Sequence, residues 1–176
     1  KNKCLGTWES DGQKYVGEYR NDSWSGKGIL TYEGILHYEG EFKDDLFNGL
    51  GTLKLENGET HVGEFRDNMK NGPGITNFSD GSVYEGEYQR NRKHGLGTMT
   101  WADGVTYSGH WKEDNFEGQG TYTFTDGWQY SGDWRYFETY GNSIPHGEGK
   151  VNYGEGKKTY SGSWSYGQYD GAGTEI

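Results

Sequence analysis

An aromatic ring returns every 23 residues along this chain, at Tyr15, Tyr38, His61, Tyr84, Tyr107 and Tyr130, and Tyr160 follows after 30. Two positions beyond each stands a glycine: Gly17, Gly40, Gly63, Gly86, Gly109, Gly132 and Gly162. Two further on stands an aromatic: Tyr19, Phe42, Phe65, Tyr88, Trp111, Trp134 and Trp164. A Gly-x-Gly closes each unit, as in Gly26/Gly28, Gly49/Gly51, Gly118/Gly120 and Gly171/Gly173. A fixed period of this length confines the chain to stacked supersecondary units, none of which buries a core alone.

Each unit reads as a β-hairpin. In the clearest one, Thr98 to Trp101 alternates, Ala102-Asp103-Gly104 turns, and Val105 to Trp111 alternates again. Turn glycines recur at Gly12, Gly34, Gly58, Gly81, Gly104, Gly127 and Gly156. Parity chooses the turn. A two-residue Asp-Gly turn pairs Thr100 with Tyr107 and sends Trp101 to the opposite face. A three-residue loop with Gly104 in the left-handed region pairs Trp101 with Val105 and gathers the aromatics on one side. Burial specifies register strongly, so the three-residue loop is predicted.

That register predicts two unlike faces. One carries Leu30/Tyr32, Leu53/Leu55, Phe78, Met99/Trp101, Tyr122/Phe124 and Val151/Tyr153 with the Tyr-x-Gly-x-aromatic positions. The other carries Glu39/Glu41/Lys43, Glu64/Arg66, Glu85/Glu87, His110/Lys112 and Asp133/Arg135. The glycine between two same-face aromatics is predicted to admit a ring from a neighbouring hairpin.

Composition alone points elsewhere. Mean hydropathy of −1.10 and a net charge of −10 suit a disordered chain. Seven Trp, 15 Tyr and 7 Phe overrule that reading, because disordered segments are poor in aromatics. No run of about 18 apolar residues predicts a helical membrane span, and no leader pattern opens the chain. It starts at Lys1 without methionine and stops in mid-pattern at Ile176, as a fragment of a longer protein does. Cys4 alone excludes an internal disulfide and suits a reducing compartment. The acidic balance argues against nucleic acid and anionic lipid as partners.

The pattern resembles the MORN (membrane occupation and recognition nexus) repeat, in Tyr107-Ser-Gly-His-Trp111, Gly118-Gln-Gly120 and Asp126-Gly127. The resemblance covers residues 1–176 as one array of about seven and a half units. The fold it implies is all-β: an elongated, single-layer, twisted antiparallel sheet of consecutive hairpins, a solenoid. His61-Val62 departs from the usual start, the first unit is one residue out of register around Gly6, and residues 135–146 form an insertion.

Chemistry-bearing motifs are weak. Gly149-Lys150 is followed by Val151, not Ser or Thr, and Ile144 stands where a P-loop needs its first glycine. The five histidines, His37, His61, His94, His110 and His146, have no ligand spacing, and the acid pairs lack the frame of a calcium loop. Carboxylates repeat by position, so no acid/base pair of divergent environment stands out. No metal, no cofactor and no enzymatic activity are predicted. An aromatic cage for a quaternary ammonium, as in choline-binding repeats, needs adjacent rings, and here a glycine separates them.

The aromatic face remains. Tyr32, Leu55, Phe78, Trp101 and Phe124 are predicted to line an open groove, with Tyr107 and Tyr130 on the same face. Trp128 at an unusual tip, and Tyr136 and Phe137 in the insertion, are predicted as a contact peculiar to this chain. A groove of this kind suits an amphipathic helix from a partner, or a second copy of the chain as a homodimer. The resemblance agrees, since family members act as non-catalytic scaffolds, some in cilia, flagella or the cytoskeleton, which implies a cytoplasmic location. The alternatives are a membrane- or phosphoinositide-docking module, and an accessory domain of a larger enzyme.

Overall fold

The computed structural model describes residues 3–154, 159–171 and 173–175, and the turn glycine Gly156 lies outside them. Among the described residues the chain is all β, without a helix. Strand order is chain order from the first strand to the fifteenth, and it does not close on itself. The residues pack as two compact units. One reaches to Gly81 and adds Tyr88–Asn91; the other holds Ser82–Glu87 and the described residues from Arg92 on.

The first unit contains β1 (Lys3–Ser10), β2 (Gln13–Arg20), β3 (Ser23–Tyr32), β4 (Leu36–Lys43), β5 (Leu46–Leu55), β6 (Thr60–Arg66) and β7 (Met69–Asn77). The strand β8 (Val83–Gln89) contributes to both units. The second contains β9 (Arg92–Thr100), β10 (Thr106–Lys112), β11 (Asn115–Thr123), β12 (Gln129–Phe137), β13 (Asn142–Asn152) and β14 (Thr159–Ser165). Two short strands, β15 (Gln168–Tyr169) and β16 (Thr174–Glu175), both pair with β14.

The predicted loop is present. The Trp101 amide donates to the Val105 carbonyl and the Gly104 amide to the Trp101 carbonyl, each at 2.9 Å, with Gly104 at φ +89°. Leu55 and Glu59 close the same loop in the first unit at 2.8 Å. The first hairpin differs: Ser10 pairs Gln13 across a two-residue turn at Asp11 and Gly12. One residue fewer in that turn accounts for the irregular spacing around Gly6, which still pairs Gly17.

Successive hairpins are joined by two-residue turns with both residues left-handed, as at Asn21-Asp22, Asp44-Asp45, Asp67-Asn68 and Glu113-Asp114. Asn and Asp tolerate that region and supply an acceptor. Asp45 Oδ1 accepts from the Trp24 amide at 2.6 Å, Asn68 Oδ1 from the Phe47 amide at 2.7 Å, and Asp114 Oδ1 from the Lys93 amide at 2.9 Å. The recurring Asn and Asp turns therefore lock to one another.

The aromatic face forms the core of both units. Tyr15, Tyr38, Tyr84, Tyr107, Tyr130 and Tyr160 are buried, as are Phe42, Phe65, Tyr88, Trp111, Trp134 and Trp164. The ring that crosses each glycine is not a neighbour's, as predicted, but the strand's own. A Cβ on Gly40 would stand 2.6 Å from the Tyr38 hydroxyl and 2.5 Å from the Gly51 Cα. Side chains at those glycines would displace the tyrosine two residues earlier.

The second face needs a correction too, since charge does not cover it evenly. In the first unit it carries the cross-strand pairs Val16–Ile29 and Val62–Ile75, with Leu50 beside Glu64. Val62 is 52% exposed and Leu50 62%. In the second unit the same repeat positions carry hydroxyls, with Ser108 opposite Thr121, and these bond to the flanking strands at Thr98 (2.9 Å) and Ser131 (2.8 Å).

Candidate functional site

Every unit that starts with tyrosine repeats one local construction. The phenol donates to the carbonyl three residues on, from Tyr38 to Glu41 at 3.0 Å and from Tyr107 to His110 at 2.9 Å. Burial pushes the Tyr15 phenol up to about 12, and raises those of Tyr38, Tyr107 and Tyr130 as well. A phenol held protonated this firmly is a structural donor and not an acid/base group. The aromatic four residues on meets the tyrosine edge to face, as Trp111 meets Tyr107 at 5.1 Å and 89°.

A further ring, nine residues after the tyrosine, lies flat on it. Trp24 stacks on Tyr15 at 4.5 Å, Phe47 on Tyr38 at 3.8 Å, Phe116 on Tyr107 at 3.7 Å and Tyr169 on Tyr160 at 3.9 Å. Sequence reasoning missed this position. Its signal was present: residues 24, 47, 116 and 169 follow their tyrosines by a constant nine. Lysine takes the slot at Lys93, whose ammonium lies 5.8 Å from the Tyr84 ring centroid. His61 is the variant start. It is buried, with Nδ1 2.8 Å from Thr76 Oγ1, which in turn lies 2.6 Å from the Tyr88 hydroxyl. Nearby, Lys70 pairs with Glu59 at 2.9 Å.

The predicted site residues fall into three places. Tyr107 and Tyr130 are buried and form the floor of the face. Tyr32, Leu55 and Phe78 in the first unit are half-buried, as are Trp101, Phe124 and Trp128 in the second. In that second unit the half-buried rings make a continuous row. Trp101 meets Tyr122 at 5.6 Å, Tyr122 meets Phe124 at 4.6 Å, and Trp128 stacks on Phe124 at 3.5 Å and 9°. Trp128 then meets Tyr153 at 5.8 Å.

The row ends at a cleft of about 510 Å³, within the size range of ligand pockets. Its sides include Trp128, Trp134, Trp164 and Tyr153, and Pro145 and Val151 contribute to its lining. Among the described residues no charged side chain lines it. Among the described residues no three His, Cys, Asp or Glu side chains stand close enough to hold a metal ion.

The family model of the MORN repeat matches residues 15–34, 38–60, 61–83, 84–106, 107–129 and 160–176. The chain belongs to the MORN repeat family. MORN repeats are protein- and membrane-interaction modules. No curated protein matches the chain.

The MORN unit from 130 to 159 falls outside the matched segments, and it supplies Tyr130, Trp134, Pro145, Val151 and Tyr153 to the cleft. Its insertion does not join the other predicted residues. Phe137 instead meets Tyr166 at 4.9 Å, His146 at 5.3 Å and Tyr140 at 6.2 Å, with the Arg135 guanidinium 5.4 Å from its ring centroid. Tyr136 is half-buried, its amide donating to Glu117 at 3.4 Å. Phe137 thus belongs to a ring cluster apart from Trp101 and Tyr107.

Proposed function

We propose that the chain is a non-catalytic scaffold whose aromatic face holds an amphipathic helix of a partner protein. The observation that carries this reading is the row of half-buried rings Trp101, Tyr122, Phe124 and Trp128 in the second unit. Each ring is only half-buried, and contiguous apolar surface of this kind marks interaction sites. A helix offers apolar side chains at i, i+3/i+4 and i+7, which match a row of anchors. The buried tyrosines beneath it supply rigidity and no chemistry.

Cross-linking mass spectrometry on affinity-captured complexes tests this, with Trp101→Ala/Phe124→Ala as the control. A partner cross-linked beside Trp101 through a helical segment, and lost in the control, is the expected result. Links only between copies of this chain would replace the helix with self-association. Capture unchanged in the control would remove the aromatic row from the function.

A further inference from the structure

The MORN units carry their own description of what fits beside a core tyrosine. In four of them a ring of the chain itself lies flat on the tyrosine, from Trp24, Phe47, Phe116 or Tyr169. Pairing identifies the equivalent residue in the unit that starts at Tyr130. Phe47 stands opposite Phe42, Phe116 opposite Trp111, and Pro145 opposite Trp134. The ring slot is therefore held by a half-exposed proline, and among the described residues only Trp134 and Trp164 touch Tyr130 as rings, both edge on.

The hydrogen bonding changes with it. At Trp24, Phe47 and Lys93 the slot residue's amide donates to an Asx side chain in the next turn. Proline has no amide hydrogen to give. The turn that follows it, Tyr166-Gly167, keeps the backbone bond of the other units, from the Gly167 amide to the Pro145 carbonyl at 2.9 Å, but it carries no carboxylate or amide side chain to accept. The slot has lost its ring and its turn the Asx acceptor, while the turn's backbone keeps the repeat pattern, and the cleft of about 510 Å³ opens at that position.

We infer that this cleft takes one aromatic side chain, a phenylalanine or tryptophan, presented by the bound partner segment. Its source as a partner helix rests on the function proposed above. The incoming ring sits on Pro145 and supplies the plug that the other units supply from within. The walls suit a ring: Trp128 is braced flat on Phe124, and the Tyr153 and Tyr169 hydroxyls meet at 2.6 Å at the same cleft. The described lining carries no charge, so none of these side chains offers a counter-ion to a charged anchor. Deep, desolvated pockets filled by one aromatic are where binding energy concentrates at interfaces.

The test uses the full chain, with N-acetyl-tryptophanamide and N-acetyl-leucinamide titrated while the Val151 methyl and Trp128 indole resonances are followed by NMR. Saturable shifts at both are expected with the tryptophan amide, and binding of the leucine amide is expected to be roughly two- to tenfold weaker, the worth of aromatic pairing beyond burial. Pro145→Phe restores the repeat's own ring and is expected to abolish the shifts at Val151. Trp128→Ala, which removes a wall without filling the cleft, is expected to weaken them and decides the matter if Pro145→Phe does not fold. Equal binding of the two amides, no saturable shift, or shifts that survive the variants overturn the inference.

A designed helical peptide with a central tryptophan, and its leucine counterpart, separate the two readings. If both peptides bind equally, the aromatic anchor fails and the helix reading stands. If neither binds while the tryptophan amide does, the anchor stands and the helix reading fails.

Discussion

Tyr38 and Phe47 stack face to face, their ring centroids 3.8 Å apart and 9° from parallel, across the turn that joins two hairpins. The contact links the second strand of one hairpin to the first strand of the next, so it ties neighbouring hairpins as well as filling the core. Phe42 and Phe65 close it edge on, at 5.1 Å and 5.2 Å from Tyr38. Phe47→Ala should cost about 3–5 kcal/mol, as deletion of a buried phenyl ring does. Denaturation will show the loss, and hydrogen exchange should place it in the first unit.

Two glycines of that unit should respond to alanine for different reasons. At Gly51 a Cβ would meet the Tyr38 hydroxyl and ring, so Gly51→Ala forces the core tyrosine aside. At Gly58, with φ +91°, nothing lies within 4 Å of an added Cβ, and only backbone strain of about 1–2 kcal/mol is at stake. Gly51→Ala is expected to lower the denaturation midpoint more and to shift the Tyr38 ring resonances. Gly58→Ala should leave those resonances in place.

Much of this was legible before any coordinates. Period, parity and turn glycine were enough to predict the hairpins, the Trp101–Val105 loop and the shared face of Tyr107 and Trp111, because each depends on residues close in sequence. What the period hid was lateral. Trp24, Phe47 and Phe116 sit in the segments that look like polar linkers, and only strand pairing across the two-residue turns brings them onto the tyrosines. The cleft was half legible: Phe124, Trp128 and Tyr130 were identified, whereas Pro145 and Trp164 were not, because only strand pairing brings Pro145 opposite Trp134 and Trp164 against Tyr130. Trp128 was read with Tyr136 and Phe137 as one contact; its ring packs on Phe124 and Tyr153, while Phe137 packs on Tyr140 and Tyr166.

The aliphatic pair Val62–Ile75 on the second face should be dispensable to the fold. It is 52% and 40% exposed, and the second unit places hydroxyls at the same repeat positions. Val62→Ser/Ile75→Thr is expected to change stability by no more than about 0.5 kcal/mol, as exposed substitutions do. Binding of a hydrophobic dye should fall. A large loss of stability would mean that something in the protein covers this pair.

His61 gives the first unit a pH dependence that a tyrosine start does not. Burial lowers its pKa from the usual 6.5 to about 4, with the Lys70 ammonium acting in the same direction. Its Nε2 is buried and has no partner among the described residues, so the folded state favours the neutral ring. Between the two values the unfolded chain binds the proton and the folded one does not, so stability rises with pH there. The contribution is present in full above about 6.5 and is lost as pH falls toward 4, on the order of 3 kcal/mol in all. His61→Tyr supplies the residue that the other units use, over glycines already in place at Gly63 and Gly74. Denaturant midpoints measured from neutral pH down to about 4 should therefore slope steeply for the native chain and flatten in His61→Tyr. Parallel profiles for the two proteins would assign the acid sensitivity to carboxylates instead.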